Sequence, residues 1–484
     1  AFGLWLSEYG FDSWKEVDQK VSSLKKSGFP LDGVVLDLQW FGGIEAKSER
    51  SRMGGLQWDS KKFPDPKKKI AQLDKIGVGV MTIEEPFVAR QVRDAQSGQV
   101  IFDVLSEKGF LAKDSSLPDK PAALMPRDQG WWGVGGMLDF TNPQAGDFWH
   151  DWKRKPLIEQ GVLGHWTDLG EPEMYNPGAE YWEGRKHAEI HNIFNRQWSE
   201  SVWRGYQRHN VKARPWILSR SGTIGSQKFG VGMWSGDIAS NMESLAAQSL
   251  VQANMSFSGI DYFGSDIGGF HRKGLRGDLN WLYTQWLANS VFTDVPIRPH
   301  VENLCNCKET APDRIGDKTS NLENLRLRYR LLPYYYSLAH EAHLWGEPLV
   351  APLVYHFQKD LVARDLADHK MIGPYLLAVN AMGEEIKTKD VYLPAGVWWD
   401  FRTQARFQSQ GEWVKNYQIV FDKVFRIPLF AREGAIIPMT AVDARGFTTA
   451  EKVFRMYPSP THSTLTFFED DGKTTDYLDG QVRK

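Results

Sequence analysis

The chain has 484 residues, with 58 Lys and Arg against 60 Asp and Glu, so its formal net charge at pH 7 is −2. This balance argues against nucleic-acid binding, which needs a basic surface, and against an acidic disordered chain. No apolar run reaches the ~20 residues of a membrane-spanning helix, and at roughly 150 residues per domain the length predicts three domains, or one large barrel with a smaller unit. The 20 tryptophans fit either an aromatic core or a carbohydrate site, because large rings also stack on the apolar faces of sugars.

Short apolar runs alternate with helical patterns over the first 300 residues. The eight predicted strands lie at 2–6, 33–38, 77–83, 164–169, 215–218, 230–234, 260–264 and 291–297. Apolar residues at helical spacing predict helices between them at 14–26, 67–75, 187–209 and 241–254. This alternation predicts an α/β fold of the (β/α)8 TIM-barrel type, in which the active site lies at the carboxyl ends of the strands.

Two further segments complete the predicted barrel. The polar, Pro-rich stretch 95–130 lacks periodicity and predicts an inserted loop subdomain after strand 3, over about residues 95–138. A helix at 325–344, broken near Pro333, closes the chain's first domain. We therefore predict a catalytic barrel over residues 1–344.

The sequence changes character after this helix. Short β runs separated by Gly and Pro turns predict a C-terminal β-sandwich over residues 345–445. The last segment, 446–484, predicts the start of a further β unit. No internal repeat accompanies these elements.

Four aspartates stand at the ends of predicted strands, where a barrel would aim them into one mouth. They are Asp37, Asp168, Asp237 and Asp266. One aspartate after a strand is also a common N-cap of the next helix, so each alone is ambiguous. Acetal hydrolysis requires two converging carboxyl groups, one ionised and one protonated, and Trp166 and Trp234 each precede one of the four closely. The set therefore predicts a glycoside-cleaving site.

No pattern in the sequence indicates a metal or an organic cofactor, and we expect neither. His187 and His191 have the spacing of a helical metal pair, but the sequence around them is HAEIH rather than HExxH. Cys305 and Cys307 form a C-x-C that fits ordinary thiols or a local bridge. Dinucleotide and P-loop glycine motifs are absent from the sequence.

Two longer motifs resemble glycoside hydrolase family 31, the family of α-glucosidases, α-xylosidases and α-transglucosylases. The first is WTDLGEPE at 166–173, which resembles the nucleophile motif and implies that Asp168 is the nucleophile. The second is LSRSGTIGSQKFGVGMWSGD at 218–237, which resembles the acid/base segment and implies Asp237 in that role. The resemblance runs from the first strand to FFEDDG near the end of the chain.

The same resemblance implies the residues that would bind substrate. FGSDIGGF, VVLDLQW and IRPH match three further family segments. Leu169, the apolar residue after the implied nucleophile, would form the floor of the pocket. The implied substrate-binding residues are Asp37, Trp132, Trp166, Leu169, Arg220, Trp234, Asp266, Phe270 and His300.

Two features depart from the family pattern. Many family α-glucosidases read D-M-N-E at the nucleophile, whereas this chain reads D-L-G-E, with Gly170 in place of the amide. The D-L-G-E form resembles a branch that also contains transglucosylases. The family usually carries an N-terminal β-sandwich, which is either absent or outside this sequence, because the sequence starts on the first barrel strand.

The resemblance implies a retaining, exo-acting α-glycoside hydrolase, in first place an α-glucosidase that acts by double displacement. A transglucosylase with the same catalytic pair and an inactive sugar-binding protein are the alternatives. If both carboxyl groups reach one anomeric carbon, their separation should be about 5–5.5 Å, against roughly 6.5–9.5 Å in an inverting enzyme. The expected partner is an oligosaccharide or α-glucoside substrate, with no nucleic acid and no membrane; the sequence assigns no oligomeric state and no compartment.

Overall fold

The structure is a computed structural model that describes residues 1–44, 51–114, 116–121, 131–302, 308–443, 446 and 448–482. The chain divides into two compact units. Unit 1 comprises Ala1–Leu6, Lys20–Asp32 and Ser235–Lys484, and unit 2 comprises Ser7–Gln19 and Gly33–Trp234. The C-x-C pair, Cys305 and Cys307, lies outside the described residues, as does part of the predicted insertion.

Strands are numbered β1 to β26 in chain order. They are Trp5–Glu8, Gly33–Leu36, Gly79–Glu84, Phe87–Ala89, Lys113–Asp114, Leu117–Pro121, Gly135–Met137, Gly164–Thr167, Ala179–Glu180, Trp216–Ser219, Val231–Trp234, Phe263–Gly264, Asp266–Ile267, Arg298–Pro299, Val350–Pro352, His369–Ile372, Leu376–Val379, Thr388–Leu393, Gly396–Asp400, Arg406–Ser409, Glu412–Gln418, Val420–Phe421, Val424–Phe425, Leu429–Arg432, Ile436–Val442 and Thr448–Met456.

Helices are numbered α1 to α12 in the same way. They are Trp14–Lys26, Pro66–Asp74, Ile101–Glu107, Pro143–Trp149, Lys155–Glu159, His187–Ile190, Phe194–Arg208, Met242–Phe257, Leu279–Thr293, Lys318–Arg330, Leu332–Trp345 and Leu353–His356. None of the described helices is both long and apolar enough to cross a membrane.

Five parallel strands form the core of unit 2, in the order β2, β3, β8, β10 and β11. Leu36 pairs with Thr82, and Thr167 pairs with both Glu84 and Ser219, so β2, β3, β8 and β10 end close to the same level. These strands are almost wholly buried, which explains their continuous apolar runs. The residue after each strand therefore emerges at one common edge of the sheet.

The eighth predicted strand, 291–297, is wrong in its position. Its first residues close α9, and the strand is Arg298–Pro299, which pairs in parallel with β13. Residues 282 to 293 of α9 are all buried, so the sequence shows no polar stripe that would distinguish a helix from a buried strand. Ile297 still forms a parallel bridge, to Leu4.

Three other predicted segments divide differently in the structure. The stretch 95–130 contains the two-turn helix α3, which buries Ile101, Phe102 and Leu105 but is too short to show a clear period. The predicted helix 187–209 is interrupted between α6 and α7 by a short 3-10 turn. The break predicted near Pro333 lies at Leu331, between α10 and α11.

The C-terminal part of unit 1 contains a six-stranded antiparallel sheet in the order β15, β16, β17, β24, β19 and β20. The antiparallel pair of β18 and β21 adds Val391, Tyr392 and Leu393 to the core of this sheet, which includes the buried Trp398. Strand β25 pairs in antiparallel register with β26 from Ile436 to Val442, so this pairing joins residues on both sides of the predicted division at 445.

Replacement of Trp398 by alanine should destabilise this C-terminal core. The indole is fully buried and its Nε1 donates to the carbonyl of Pro394 at 2.8 Å, so Trp398→Ala leaves both a cavity and an unpaired acceptor. We expect the free energy of unfolding to fall by about 3–5 kcal/mol, measured by urea denaturation. Trp413→Ala, at a side chain that is 40% exposed on β21, is the control and should cost less than half as much; equal losses would contradict the assignment of this core.

Candidate active site

Four neighbouring strands of unit 2 are each followed at once by a charged residue. Asp37 follows β2, Glu85 follows β3, Asp168 follows β8 and Arg220 follows β10. The amide of Asp168 donates to the carbonyl of Glu84 at 3.1 Å, and the amide of Arg220 donates to the carbonyl of Thr167 at 3.2 Å. Sheet register thus extends one residue past the strands and fixes these side chains at one edge.

Asp168 lies in a sharp turn beside a guanidinium. Its Oδ1 accepts from the amide of Leu169 at 2.9 Å and lies 3.7 Å from Nε of Arg220. Leu169 has φ of 56°, in the left-handed region that a leucine rarely adopts. This backbone turns the chain directly after Asp168 and buries the Leu169 side chain.

Arg220 is held in place by two glutamates from the same turn. Glu171 accepts from Nε at 2.7 Å and from Nη2 at 3.2 Å, and Glu173 lies 3.3 Å from Nη2. A bidentate carboxylate fixes the plane of a guanidinium as well as its position. The positive charge next to Asp168 is therefore oriented by the D-L-G-E-P-E segment itself, and it stabilises negative charge on Asp168.

Gly170, the departure from the family pattern, is explained by a neighbouring helix. A Cβ at this position would lie 2.0 Å from Nδ2 of Asn195, a buried residue on α7. Oδ1 of Asn195 accepts from the hydroxyls of Ser199 and Ser219, and Ser219 immediately precedes Arg220. The amide of Asn195 therefore occupies the space beside residue 170 and connects the Asp168 turn to the β10 loop.

Buried aromatic rings accompany these charges in unit 2. Trp166 and Trp234 pack edge to face with centroids 5.7 Å apart. Trp132 stacks on Phe87 at 5.3 Å and is almost fully buried. Rings of this size can form the apolar wall that a sugar face requires.

Asp37 both caps a short helix and lies among the candidate site residues. Its Oδ1 accepts from the amide of Leu38 at 2.6 Å and so caps the short 3-10 helix Leu38–Phe41. The same carboxyl group is buried at the edge that carries Asp168.

Glu85 is a candidate site residue that the sequence analysis did not select. Its side chain is buried, and its Oε2 has no hydrogen-bond partner in the described part of the chain. Burial, followed by the charges of Asp168, Asp37 and Glu173, raises the pKa of Glu85 well above its usual value. The sequence feature that could have identified Glu85 is the pair Glu84-Glu85 at the end of a barrel strand.

The other glutamate of this pair has a different environment. Oε1 of Glu84 accepts from Nε of the fully buried Arg154 at 2.6 Å, and its Oε2 accepts from the indole of Trp149 at 3.1 Å. Arg154 also donates to Ser201 at 3.1 Å. Glu84 is thus an ion-paired structural acid, whereas among the described residues Glu85 has no ion pair of this kind.

Unit 1 brings together three of the other predicted site residues. Asp266 on β13 is fully buried and ion-pairs with Arg298, its cross-strand partner on β14. His300 stacks on Phe270 with centroids 5.3 Å apart. Burial, and then the nearby Arg298, lowers the pKa of His300 well below its usual value, so the imidazole is neutral. Arg298 was not among the residues predicted from the sequence, where it appears only as the arginine of IRPH.

Asp237 belongs to unit 1 and Asp168 to unit 2. The exposed Asp237 lies three residues after the end of β11. The separation of the two carboxyl groups therefore stays a prediction.

Nε2 of His187 and Nδ1 of His191 hydrogen-bond to each other at 3.2 Å. In the described ranges, no three His, Cys, Asp or Glu side chains are grouped so that they could hold a metal ion.

Comparison with known proteins assigns the chain to a family. The model of the glycosyl hydrolases family 31 TIM-barrel domain matches residues 1–338, and the model of the family's C-terminal domain matches residues 346–437. The α-glucosidase 2 of Bacillus thermoamyloliquefaciens is 25% identical over 99% of this chain and 58% of its own length. An α-xylosidase of Saccharolobus solfataricus is 27% identical over 99% of this chain and 61% of its own length.

A solved structure agrees with these relatives. A family 31 dextranase of Flavobacterium johnsoniae, complexed with glucose, superposes with a TM-score of 0.86 at 26% identity, over 99% of this chain and 58% of that one. The chain thus spans somewhat more than half the length of these relatives. The predicted TIM barrel followed by a C-terminal β domain is confirmed, and the chain belongs to glycoside hydrolase family 31.

Proposed function

We propose that this chain carries the catalytic residues of a retaining, exo-acting α-glycoside hydrolase of the α-glucosidase type. The observation that carries the proposal is the geometry at Asp168: a carboxylate at a strand end, 3.7 Å from an arginine that Glu171 and Glu173 hold in place. That geometry occurs within the segment 166–173, which resembles the family's nucleophile motif. The relatives named α-glucosidase and α-xylosidase support an α-linked pyranoside as the substrate class.

The proposed reaction takes place in two displacements. Asp168 attacks the anomeric carbon while Asp237 protonates the glycosidic oxygen, so the C–O bond breaks and a glycosyl ester forms on Asp168. Asp237 then removes a proton from water, and the resulting attack releases the sugar and regenerates both groups. Asp37, Arg220, Asp266 and His300 would bind hydroxyls of the terminal sugar.

The neutral and charged side chains proposed to bind the sugar differ in the hydrogen bonds that they can donate and accept. A neutral imidazole offers one donor and one acceptor, a guanidinium offers donors only, and a carboxylate offers acceptors only. Sugar hydroxyls both donate and accept, so the set contains partners for both functions. Trp166 and Trp234 would supply the apolar surface, and exo action would follow from a closed pocket.

The stereochemistry of the first product tests this proposal directly. A screen of aryl α-glucosides, aryl α-xylosides and α-linked disaccharides should identify a cleaved substrate, and proton NMR in the first minutes should show the α anomer, because two inversions retain configuration. A β anomer at the earliest time point would overturn the mechanism. Longer oligosaccharides at high donor concentration would identify a transferase, and absence of any turnover would leave a sugar-binding protein.

Variants of the two aspartates should behave differently. Asp168→Asn should reduce turnover of every substrate roughly 10³-fold or more, because an amide cannot form the ester intermediate. Asp237→Ala should lose roughly 10²–10⁴-fold on substrates with poor leaving groups but should retain glycosylation by glycosyl fluorides, which need no proton. Added azide should then yield the α-glycosyl azide. Equal loss on good and poor leaving groups, without azide rescue, would remove Asp237 from this role.

The contact between Gly170 and Asn195 gives a prediction about the nucleophile turn. Gly170→Ala places a methyl group against the buried amide of Asn195, and such overpacking costs about 1–3 kcal/mol. If this cost falls on the position of Asp168, kcat/KM should drop roughly 5- to 150-fold. The double variant Gly170→Ala/Asn195→Ala should lose less than the product of the two single losses; simple additivity would show that the contact does not control the turn.

A further inference from the structure

Glu85 belongs to a cluster of ionisable groups, contributed by several elements of unit 2. Tyr9 faces it from the segment after β1, Asp37 from the end of β2, Asp168 and Glu173 from the turn after β8, and Arg220 from the end of β10. Glu85 thus interacts with three other carboxyl groups, those of Asp37, Asp168 and Glu173, and with the guanidinium of Arg220, which in addition binds Glu171. Buried like charges at short range cannot all ionise, so one carboxyl group is expected to retain its proton.

The contacts of the four carboxyl groups indicate which one this is. Asp37 and Asp168 each accept a backbone N–H, from Leu38 and Leu169. Asp168 in addition lies beside Arg220, and Glu173 contacts Arg220 with a side chain that is 39% exposed. These interactions and water stabilise negative charge on Asp168 and Glu173.

For Glu85, the charge of Arg220 opposes the rise in pKa but is outweighed by burial and by the acidic neighbours. Glu85 is 4% exposed, and in the described residues Oε2 has no hydrogen-bond partner. Its Oε2 is therefore free to carry a proton. Burial and its three acidic neighbours both disfavour the ionised form, and both raise the pKa of this group.

We propose that Glu85 is a positioning residue that stays protonated, so that Asp168 is ionised while Arg220 remains bound to Glu171 and Glu173. An ionised Glu85 would compete for the guanidinium and draw it away from its bidentate position. The neutral acid instead fills the space between Asp37 and Asp168 without adding charge. This inference rests on the proposed function for its kinetic consequence, but not for the protonation itself.

The protonation state can be measured without any activity. Infrared difference spectra of wild type against Glu85→Gln at neutral pH should show the carbonyl stretch of a protonated carboxylic acid, which the variant lacks. Glu107→Gln, at an exposed residue of α3, is the matched control and should leave that band unchanged. If Glu85→Gln does not remove such a band, the proposal is overturned.

The pH dependence of stability provides a second measurement. A carboxyl group whose pKa is raised on folding binds its proton more tightly in the folded state, so its stabilisation is complete below the unfolded pKa near 4.5 and is lost as the pH rises towards the folded pKa. The Tm of wild type should therefore fall relative to that of Glu85→Gln as the pH increases from about 4.5. A constant difference between the two curves would contradict a neutral Glu85.

Kinetics on α-glucosyl fluoride test the positioning role, because cleavage of this substrate does not depend on the acid/base. Glu85→Ala should lower kcat/KM roughly ten- to a hundredfold through displacement of Arg220. Glu85→Gln should recover most of this loss. In wild type, kcat/KM should decline at alkaline pH as Glu85 ionises, and Glu85→Gln should remove this decline. A loss in Glu85→Gln as large as in Glu85→Ala would show that the charged form is needed. If wild type cleaves no glycoside, the proposed function fails, whereas the infrared and stability measurements still decide the state of Glu85.

Discussion

The guanidinium of Arg220 neutralises carboxyl groups that a parallel sheet necessarily brings to one edge. Strands β2, β3, β8 and β10 end at nearly the same level, so the residue after each of them faces the same region. Three of these residues are acids, and the turn after β8 adds Glu171 and Glu173. Without a fixed cation, this density of buried negative charge would force several of the acids to bind protons.

The six residues of the turn after β8 both present the carboxylate of Asp168 and orient Arg220, the cation beside it. The left-handed Leu169 reverses the chain, Gly170 admits Asn195 at close range, and Glu171 and Glu173 then return to Arg220. Asn195 also binds Ser219, so helix α7 restrains both the turn and the loop that carries Arg220. Beside Gly170, the amide of Asn195 takes up the space that a side chain at residue 170 would need.

Periodicity predicted the elements with one polar face and failed where burial is complete. Helix α1 matches its prediction because Val17, Val21 and Leu24 form a single buried stripe. Helix α9 is buried on nearly every side, so its last turn resembled a strand. The sequence prediction took only aspartates at strand ends. Glu85 stands beside Glu84 at such an end, and only the structure separates the acid paired with Arg154 from the one that is not. Arg298 was overlooked because its role depends on cross-strand pairing with Asp266, which no spacing in the sequence reveals.

Charge is controlled differently in the two groups of site residues. In unit 1 a fully buried ion pair joins Asp266 to Arg298, and the adjacent His300 is neutral because the same arginine and its own burial both oppose its protonation. In unit 2 one arginine serves several acids, and the proposed proton on Glu85 lowers the negative charge around it by one. In the first group, each of the two charges has its partner on the neighbouring strand. In the second group, the net charge depends on whether Glu85 is protonated. The activity of a glycosidase with Asp168 as its nucleophile would therefore depend on the protonation of Glu85, a residue to which the proposed mechanism gives no contact with the anomeric carbon.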